Sequence, residues 1–485
     1  MDPVFASATE LAEAIRRRRL SVAEVVESHL KRIDECNPAL NAIVTIDADG
    51  ARDRARLADE AIARGDELGP LHGVPFTLKD AFATAGMRTT VGFPPFDHLP
   101  QTDSTVAARL KAAGAVLVGK TNVAQLLADY QTNNPIFGRS NNPWDVGRTP
   151  GGSSGGAAAA VASGMTPFEI GTDLSGSIRI PAHFCGVFGF KPTEHRVSLG
   201  GVVPDPHNSP RTVRSMSCVG PIARTIDDLA LVYSIIAGPD PLDTDIPPVS
   251  IDEASSPDVR RLRIAVAPSL GGFPVAQDIR DALNRLSRQL QDAGATVDEP
   301  DLPIANIGDD LSRAGTLIGM MLSAAQPEQK PAVALADYFK ALAQRDTSIA
   351  AWDSFFDQWD VLLCAPCMTS AFPHCEPGSP LAVDGAPIDY WTVGAHTTAF
   401  NYSGNPAAVL PCGLDRSQLP IGVQLVGKRW TDSRLLGIAR VVSRFTSGLQ
   451  PPPLSMGRVI FTIGSTTPSG SDASTRSSPV NPSAR

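Results

Sequence analysis

Short apolar segments alternate with longer amphipathic ones along this chain, and that alternation restricts the folds it can adopt. The apolar segments are typical of strands buried on both faces, whereas the amphipathic ones have the spacing of helices. Buried strands of this kind need helices on both sides of their sheet. The pattern therefore predicts an α/β fold in which a central mixed β-sheet is covered by helices on both sides. The predicted strands are 42–46, 73–79, 115–118, 167–171, 263–267, 295–297, 361–363, 407–410 and 421–426.

The composition of the chain changes near residue 450. The whole sequence is 42% hydrophobic and 19% charged, which is an ordinary globular composition. Residues 450–485, by contrast, are rich in Pro, Ser, Thr and Gly, with hardly an apolar residue after Ile463. Such a segment cannot bury enough apolar surface to offset the entropy of ordering it. We therefore predict one large folded domain over residues 1–449 and a disordered, low-complexity tail over 450–485.

Charge and cysteine content narrow the partners and the compartment. The formal net charge of −9 disfavours nucleic acid and anionic membranes as partners. No apolar run reaches the roughly 18 residues of a membrane span, and no secretory signal pattern is visible. The seven cysteines are an odd number scattered along the chain, a pattern that favours reduced thiols and a cytoplasmic protein.

Two glycine–serine loops, 151–156 and 171–177, stand out as a candidate site. They flank a predicted alanine-rich helix, 155–163, and the strand 167–171. Glycines let the backbone approach a bound group closely and leave its N–H groups uncovered. Serine hydroxyls become nucleophiles once a base takes their proton. The loops suit a site that binds a developing oxyanion, although two tight turns around a helix are the simpler interpretation.

Residues 114–121 match the phosphate-binding P-loop pattern letter for letter. A P-loop has its strand before the first glycine and loop-forming residues after it. Here the intervening Ala-Val-Leu-Val is itself strand-like, so the backbone cannot curl around a phosphate. We therefore predict a strand and turn at this position, followed by a helix at 122–127.

Residues 152–156 also fit Gly-x-Ser-x-Gly, the nucleophile elbow of α/β-hydrolases. An elbow needs a strand directly before it, whereas residues 145–150 form turns and end in Pro150. Several histidines follow downstream, so the order of residues alone leaves this alternative open.

Cys364, Cys367, His374 and Cys375 have a spacing loosely compatible with a zinc site. Cys364 directly follows a predicted strand, where a thiol usually packs as a small buried hydrophobe. We therefore predict no metal site here.

Three motifs together resemble the amidase signature family: Gly-Val-Pro-x-x-x-Lys-Asp at 73–80, Gly-Gly-Ser-Ser-Gly-Gly at 151–156, and Gly-Thr-Asp-x-x-Gly-Ser-Ile-Arg at 171–179. They lie in a core section of about 70–230, and the resemblance extends over most of the chain. In that family a Ser–cis-Ser–Lys triad hydrolyses amides. Carried over by position, the resemblance implies that Ser177 is the nucleophile, Ser153 the bridging serine and Lys79 the base. The separation of 24 residues between the two serines selects Ser153 rather than Ser154.

The resemblance also implies how the site is supported. Asp173 and Arg179 occupy family positions that we interpret as supports of the loop. Neither a metal nor an organic cofactor is implied. Ser175 stands where the family most often has glycine, so its side chain is expected to change the shape or polarity of the site. The backbone N–H groups implied to form the oxyanion hole are those of Leu174, Ser175, Gly176 and Ser177.

The implied activity is hydrolysis of carboxylic amides through an acyl-enzyme, with a small-molecule amide, anilide, carbamate (urethane) or ester as substrate. The alternative is the glutaminase component of a tRNA-dependent amidotransferase complex, its A chain. A homodimer is compatible with the sequence. Apolar residues between 304 and 335, together with Phe372, Trp391 and Phe400, are predicted to line an apolar substrate pocket.

Overall fold

The molecule is built from thirteen strands and twelve α-helices within the residues that the structure describes. The computed structural model describes residues 2–202, 212–304, 307–324 and 332–453. The strands are β1 (Ile43–Ile46), β2 (Pro75–Lys79), β3 (Val116–Thr121), β4 (Phe168–Asp173), β5 (Phe188–Lys191), β6 (Cys218–Ala223), β7 (Arg263–Ala267), β8 (Thr296–Asp298), β9 (Val361–Cys364), β10 (Leu381–Val383), β11 (Ala386–Ile388), β12 (Ala407–Leu414) and β13 (Pro420–Val426). The helices are α1 (Ala8–Arg16), α2 (Val22–Leu40), α3 (Ala48–Arg64), α4 (Thr105–Ala112), α5 (Gly155–Ala162), α6 (Arg179–Cys185), α7 (Ile226–Ile236), α8 (Gln277–Asp292), α9 (Ile307–Ala324), α10 (Leu335–Phe355), α11 (Ala395–Tyr402) and α12 (Asp432–Val442).

Eleven of the strands form one mixed sheet, which confirms the predicted fold class. Their order is β1-β3-β2-β4-β6-β5-β12-β13-β9-β7-β8, and β10 and β11 form a separate hairpin. Strand β2 is parallel to both β3 and β4, and β7 is parallel to both β8 and β9. The remaining pairs in the large sheet are antiparallel. Strands β5 and β6 were not predicted, because glycine and proline interrupt their apolar pattern.

The pairing of β2 with β4 places the ends of two predicted motifs side by side. Thr77 lies opposite Glu169 in this parallel pair, and both strands run toward the same edge of the sheet. Lys79 is the last residue of β2, and Asp173 is the last residue of β4. Parallel neighbours therefore bring the lysine motif to the loop that follows β4.

Helix α5 packs closely against the sheet because its side chains are small. All eight of its residues, from Gly155 to Ala162, are buried. A Cβ atom at Gly156 would lie 2.6 Å from the backbone nitrogen of Asn122, so only glycine fits there. This close approach brings the loop before α5 to the edge of the sheet where Lys79 lies.

The predicted tail falls mostly beyond the described part of the chain. Of residues 450–485, the structure describes 450–453, and 454–485 lie outside it. Within the described ranges, no helix is both long enough and apolar enough to cross a bilayer.

Candidate active site

Lys79 is fully buried at the end of β2 and faces the loop before α5. A hydrogen bond of 2.8 Å joins its Nζ to Ser153 Oγ, and Nζ also donates to Thr172 Oγ1 at 2.7 Å. Burial lowers the pKa of Lys79 to about 7, against the opposing charges of Asp173 and Glu169. Desolvation disfavours the charged ammonium, so a large share of this amine is neutral near pH 7.

The two serines of the first loop have different environments. Ser153 lines a cavity, and the peptide bond between Gly152 and Ser153 is cis. Ser154 is buried, and its hydroxyl donates a long bond of 3.4 Å to the Thr172 carbonyl. Only the first serine contacts Lys79 Nζ, in keeping with the motif spacing.

Ser177 lies in the turn after β4 and lines the same cavity as Ser153. It is half-buried, and its carbonyl oxygen accepts a bond of 3.3 Å from the backbone N–H of Ser154. That bond ties the two glycine–serine loops together. The fold thus brings Lys79, Ser153 and Ser177 to one site.

A buried ion pair supports the turn that carries Ser177. Arg179 donates from Nε to Asp173 Oδ2 at 3.0 Å and from Nη2 to Asp173 Oδ1 at 2.9 Å. Arg179 also donates to Gln424 and Asn401. Burial alone would raise the pKa of Asp173, but the Arg179 charge holds that pKa well below its usual range. Both residues lie where the motif predicts, and their bidentate contact fixes the orientation of the loop.

One of the four N–H groups expected in the oxyanion hole is already in use. Gly176 has a φ of 103°, and its N–H donates to Asp173 Oδ1 at 2.8 Å. That hydrogen stabilises the turn and cannot also bind a substrate oxyanion. The expected set is therefore corrected to Leu174, Ser175 and Ser177 as candidate donors.

The cavity beside these residues has a volume of 360 Å³ and a mainly apolar wall. Among its described lining residues, the only charged side chain is Asp129. The apolar and aromatic lining residues are Leu126, Leu127, Ala128, Tyr130, Leu174, Leu199, Val202, Val213, Ile318, Leu322 and Trp391.

The predicted wall is only partly the observed one. Helix α9 contributes Ile318 and Leu322, while its Leu317 and Met321 pack into a buried core cluster. Trp391 lines the cavity as predicted. Phe372 instead packs edge-on against Phe184 and Tyr390, and Phe400 packs on Trp352. Those two predictions are wrong, because these rings bury themselves against other aromatic residues.

The segment predicted as a helix at 122–127 is instead a single 3₁₀ turn, Gln125–Leu127. Leu126 and Leu127 have φ values of 52° and 60°, outside the right-handed helical region. The N–H of Leu126 donates to the Val91 carbonyl at 2.9 Å. This non-local bond replaces a helical one and accompanies the placement of both leucines on the cavity wall.

Several polar residues at the site carried no independent signal in the sequence. Thr172, within the third motif, accepts from Lys79 Nζ. Glu169 accepts from Thr77 and, at 2.7 Å, from Thr121, and burial raises its pKa to about 8. Neither residue type marks a site by itself, and only strand pairing brings Glu169 near Lys79.

The competing motifs do not form the sites that their patterns suggest. Residues 116–121 of the P-loop match are strand β3, and Lys120 Nζ donates to the Phe82 carbonyl at 2.7 Å inside the protein. The described residues before Ser153 contain no strand at 145–150, as an elbow would need. Cys364 packs beside Gln424. Nowhere in the described ranges do three or more His, Cys, Asp or Glu side chains group as metal ligands.

Comparison with known sequences places this geometry in a family context. The sequence model of the Amidase family matches residues 24–314 and 312–436. The A chain of the glutamyl-tRNA(Gln) amidotransferase from Moorella thermoacetica is 34% identical over 489 residues, covering 92% of this chain and 98% of that protein. Its counterpart from Acidothermus cellulolyticus is 35% identical over 483 residues, covering 90% and 93%.

Solved structures with similar folds carry two kinds of name. A bacterial aryl acylamidase of the amidase signature family superposes with a TM-score of 0.82 at 28% identity, covering 94% of this chain and 99% of the other. The A chain of the glutamyl-tRNA(Gln) amidotransferase from Thermotoga maritima superposes with a TM-score of 0.78 at 26% identity, covering 93% and 98%.

Proposed function

This chain belongs to the amidase signature family, and from that premise we propose that it hydrolyses carboxylic amides through an acyl-enzyme on Ser177. The observation that carries the proposal is the contact between Lys79 Nζ and Ser153 Oγ at a cavity that Ser177 also lines. Burial makes the lysine amine a base near neutral pH. A base, a hydroxyl that passes on a proton and a second hydroxyl at a cavity are the parts of an activated serine nucleophile.

In the first step, neutral Lys79 takes a proton from Ser153, which in turn takes one from Ser177. The Ser177 oxygen then forms a bond with the substrate carbonyl carbon. The carbonyl oxygen becomes an oxyanion, bound by backbone N–H groups from Leu174, Ser175 and Ser177. Loss of one such donor typically costs about 3 kcal/mol of transition-state stabilisation.

In the second step, the carbon–nitrogen bond breaks and the leaving amine receives the proton held by Lys79, passed back through Ser153. The carbonyl carbon remains bonded to the Ser177 oxygen as an ester. Water, deprotonated along the same route, attacks that ester and releases the acid. The serine hydroxyl and the neutral lysine are restored, so every proton is accounted for without any further reactant.

The cavity wall favours substrates without a net charge. Its surface is mainly apolar, and Asp129 is the one charged side chain among the described lining residues. Apolar walls bind alkyl and aryl groups through burial of their surface. We infer that anilides, other aryl or alkyl amides and aryl carbamates are the substrate class, with carbamates making the protein urethanase-like.

A second candidate is the glutamine-hydrolysing A chain of an amidotransferase complex, and the sequence relatives favour it over a stand-alone amidase. Both relatives described above carry that name and cover at least 90% of this chain. Glutamine carries an α-ammonium group, which Asp129 could bind, and an α-carboxylate. The described lining residues include no lysine or arginine to bind the carboxylate. The cavity therefore supports the uncharged amide, and the two candidates need a direct comparison.

A substrate panel separates these candidates. We expect the purified chain alone to hydrolyse an apolar anilide with a kcat/KM at least about tenfold above that for glutamine, a difference of ~1.4 kcal/mol in transition-state binding. A nitrophenyl carbamate and a short aliphatic amide complete the panel. The physical reason is burial of the aryl ring against the apolar wall. A tenfold preference for glutamine would instead establish the amidotransferase candidate.

Activity should rise with pH through the neutral range. Lys79 must be unprotonated to act as a base, and its pKa is lowered to about 7. Below that pKa the ammonium form cannot accept a proton, so kcat/KM falls as pH falls. We expect one titration with an apparent pKa of about 7 and a plateau above about pH 8. The measurement is kcat/KM for an uncharged anilide, whose own ionisation does not interfere. A rate that is flat from about pH 6 to about pH 8 would contradict the assignment of Lys79.

A further inference from the structure

Three hydroxyl groups form a continuous hydrogen-bonded chain at one wall of the cavity. Ser175 Oγ lies 2.5 Å from Thr398 Oγ1 and 3.2 Å from the Tyr130 hydroxyl. Tyr130 and Ser175 line the cavity, whereas Thr398 lies behind them and is 2% exposed. Thr398 Oγ1 in turn donates to the Gly394 carbonyl oxygen at 2.9 Å. We call Tyr130, Ser175 and Thr398 the hydroxyl chain.

The far end of the hydroxyl chain sets its direction. A carbonyl oxygen can only accept, so the single hydrogen of Thr398 points to Gly394. Ser175 must therefore donate to Thr398, and Tyr130 must donate to Ser175. All three hydrogens are used within the protein. The oxygens of Tyr130 and Ser175 consequently offer lone pairs to the cavity and act there as acceptors.

The position of Ser175 places those acceptors beside the reacting bond. Ser175 precedes Ser177 by two residues, and both line the cavity. A carbonyl carbon that reaches Ser177 Oγ has its amide nitrogen one bond away. An N–H on that nitrogen can then meet an acceptor on the same wall. A glycine at residue 175, which is common in the family, would leave no such chain.

We propose that the hydroxyl chain is a specificity-determining subsite that accepts a hydrogen bond from the N–H of the scissile amide or carbamate. The inference rests on the proposed function of Ser177. An ester has an oxygen in place of the N–H, and its lone pairs face those of Tyr130 and Ser175. Sites built to bond a substrate N–H discriminate against analogues that lack it. Holding the N–H also orients the nitrogen lone pair for the proton that returns through Ser153.

The test compares a para-nitroanilide and a para-nitrophenyl ester that share one acyl group. We expect Ser175→Ala to lower kcat/KM for the anilide about tenfold and to change that for the ester less than about twofold. Thr398→Val, which removes the acceptor of Ser175, and Tyr130→Phe should lower the same anilide-to-ester ratio. Thr347→Val is the matched control, because Thr347 also donates to a carbonyl four residues earlier but is exposed on α10. It should leave both rates unchanged.

The outcomes distinguish this inference from the function on which it rests. A selective loss of anilide hydrolysis in Ser175→Ala or Tyr130→Phe supports the subsite. Equal losses for both substrates would show a merely structural role and overturn the subsite, as would no loss for either. If the unchanged protein hydrolyses neither substrate and a fluorophosphonate does not label Ser177, the proposed function fails and the subsite fails with it.

Discussion

Replacement of Ser177 by alanine is expected to abolish amide hydrolysis, with a loss in kcat on the order of 10⁵-fold or more. The substitution removes the oxygen that forms the acyl-enzyme, and no neighbouring group can replace it. Ser153→Ala and Lys79→Ala should each lower kcat by about 10²- to 10⁴-fold, the range typical of lost proton transfer. Steady-state hydrolysis of an anilide measures all three losses.

Ser154→Ala is the matched control for this series. Ser154 adjoins Ser153 in the same loop, but its hydroxyl makes only a long bond to the Thr172 carbonyl. We expect this variant to keep its activity within a few-fold and to remain labelled by a fluorophosphonate, while Ser177→Ala is not labelled. An inactive Ser154→Ala together with an active Ser153→Ala would favour the nucleophile-elbow mechanism instead.

Removal of the buried partner of Asp173 should cause the largest loss of stability. Arg179→Met leaves a carboxylate buried without its counter-charge, which typically costs about 3–5 kcal/mol in the free energy of unfolding. Activity should fall as well, because the turn that carries Ser177 loses its support. Urea unfolding followed by intrinsic fluorescence measures the change in stability.

Two further variants show whether the cost comes from the unpaired charge. Adding Asp173→Asn to Arg179→Met removes that charge and should recover part of the stability. Arg88 and Asp97 form a similar two-bond pair on the surface, where Arg88→Met should cost less than about 1 kcal/mol. Similar losses for Arg179→Met and Arg88→Met would mean that the Asp173 pair does not support the fold.

Local patterns were sufficient to predict much of the architecture. The strand at 263–267 coincides with β7, and the strand at 73–79 contains β2 with Lys79 as its last residue. Short motifs were likewise sufficient to select Ser153 over Ser154 as the contact of Lys79. These properties depend on residues close together in sequence, so periodicity and spacing carry them directly.

The wall of the site, by contrast, was decided by contacts between distant segments. A bond from Leu126 to Val91 converts a predicted helix into a turn on the cavity wall. Phe400 packs on Trp352 instead of lining the cavity.

The sequence alone thus determined the fold class, the main strands and the three residues of the proposed triad, because each is encoded in a local pattern. Only the tertiary structure decided that the Gly176 N–H serves Asp173 and that Ser175 joins Tyr130 and Thr398. A hydrogen-bonding group can be satisfied by many partners, and which one it meets depends on how remote segments pack.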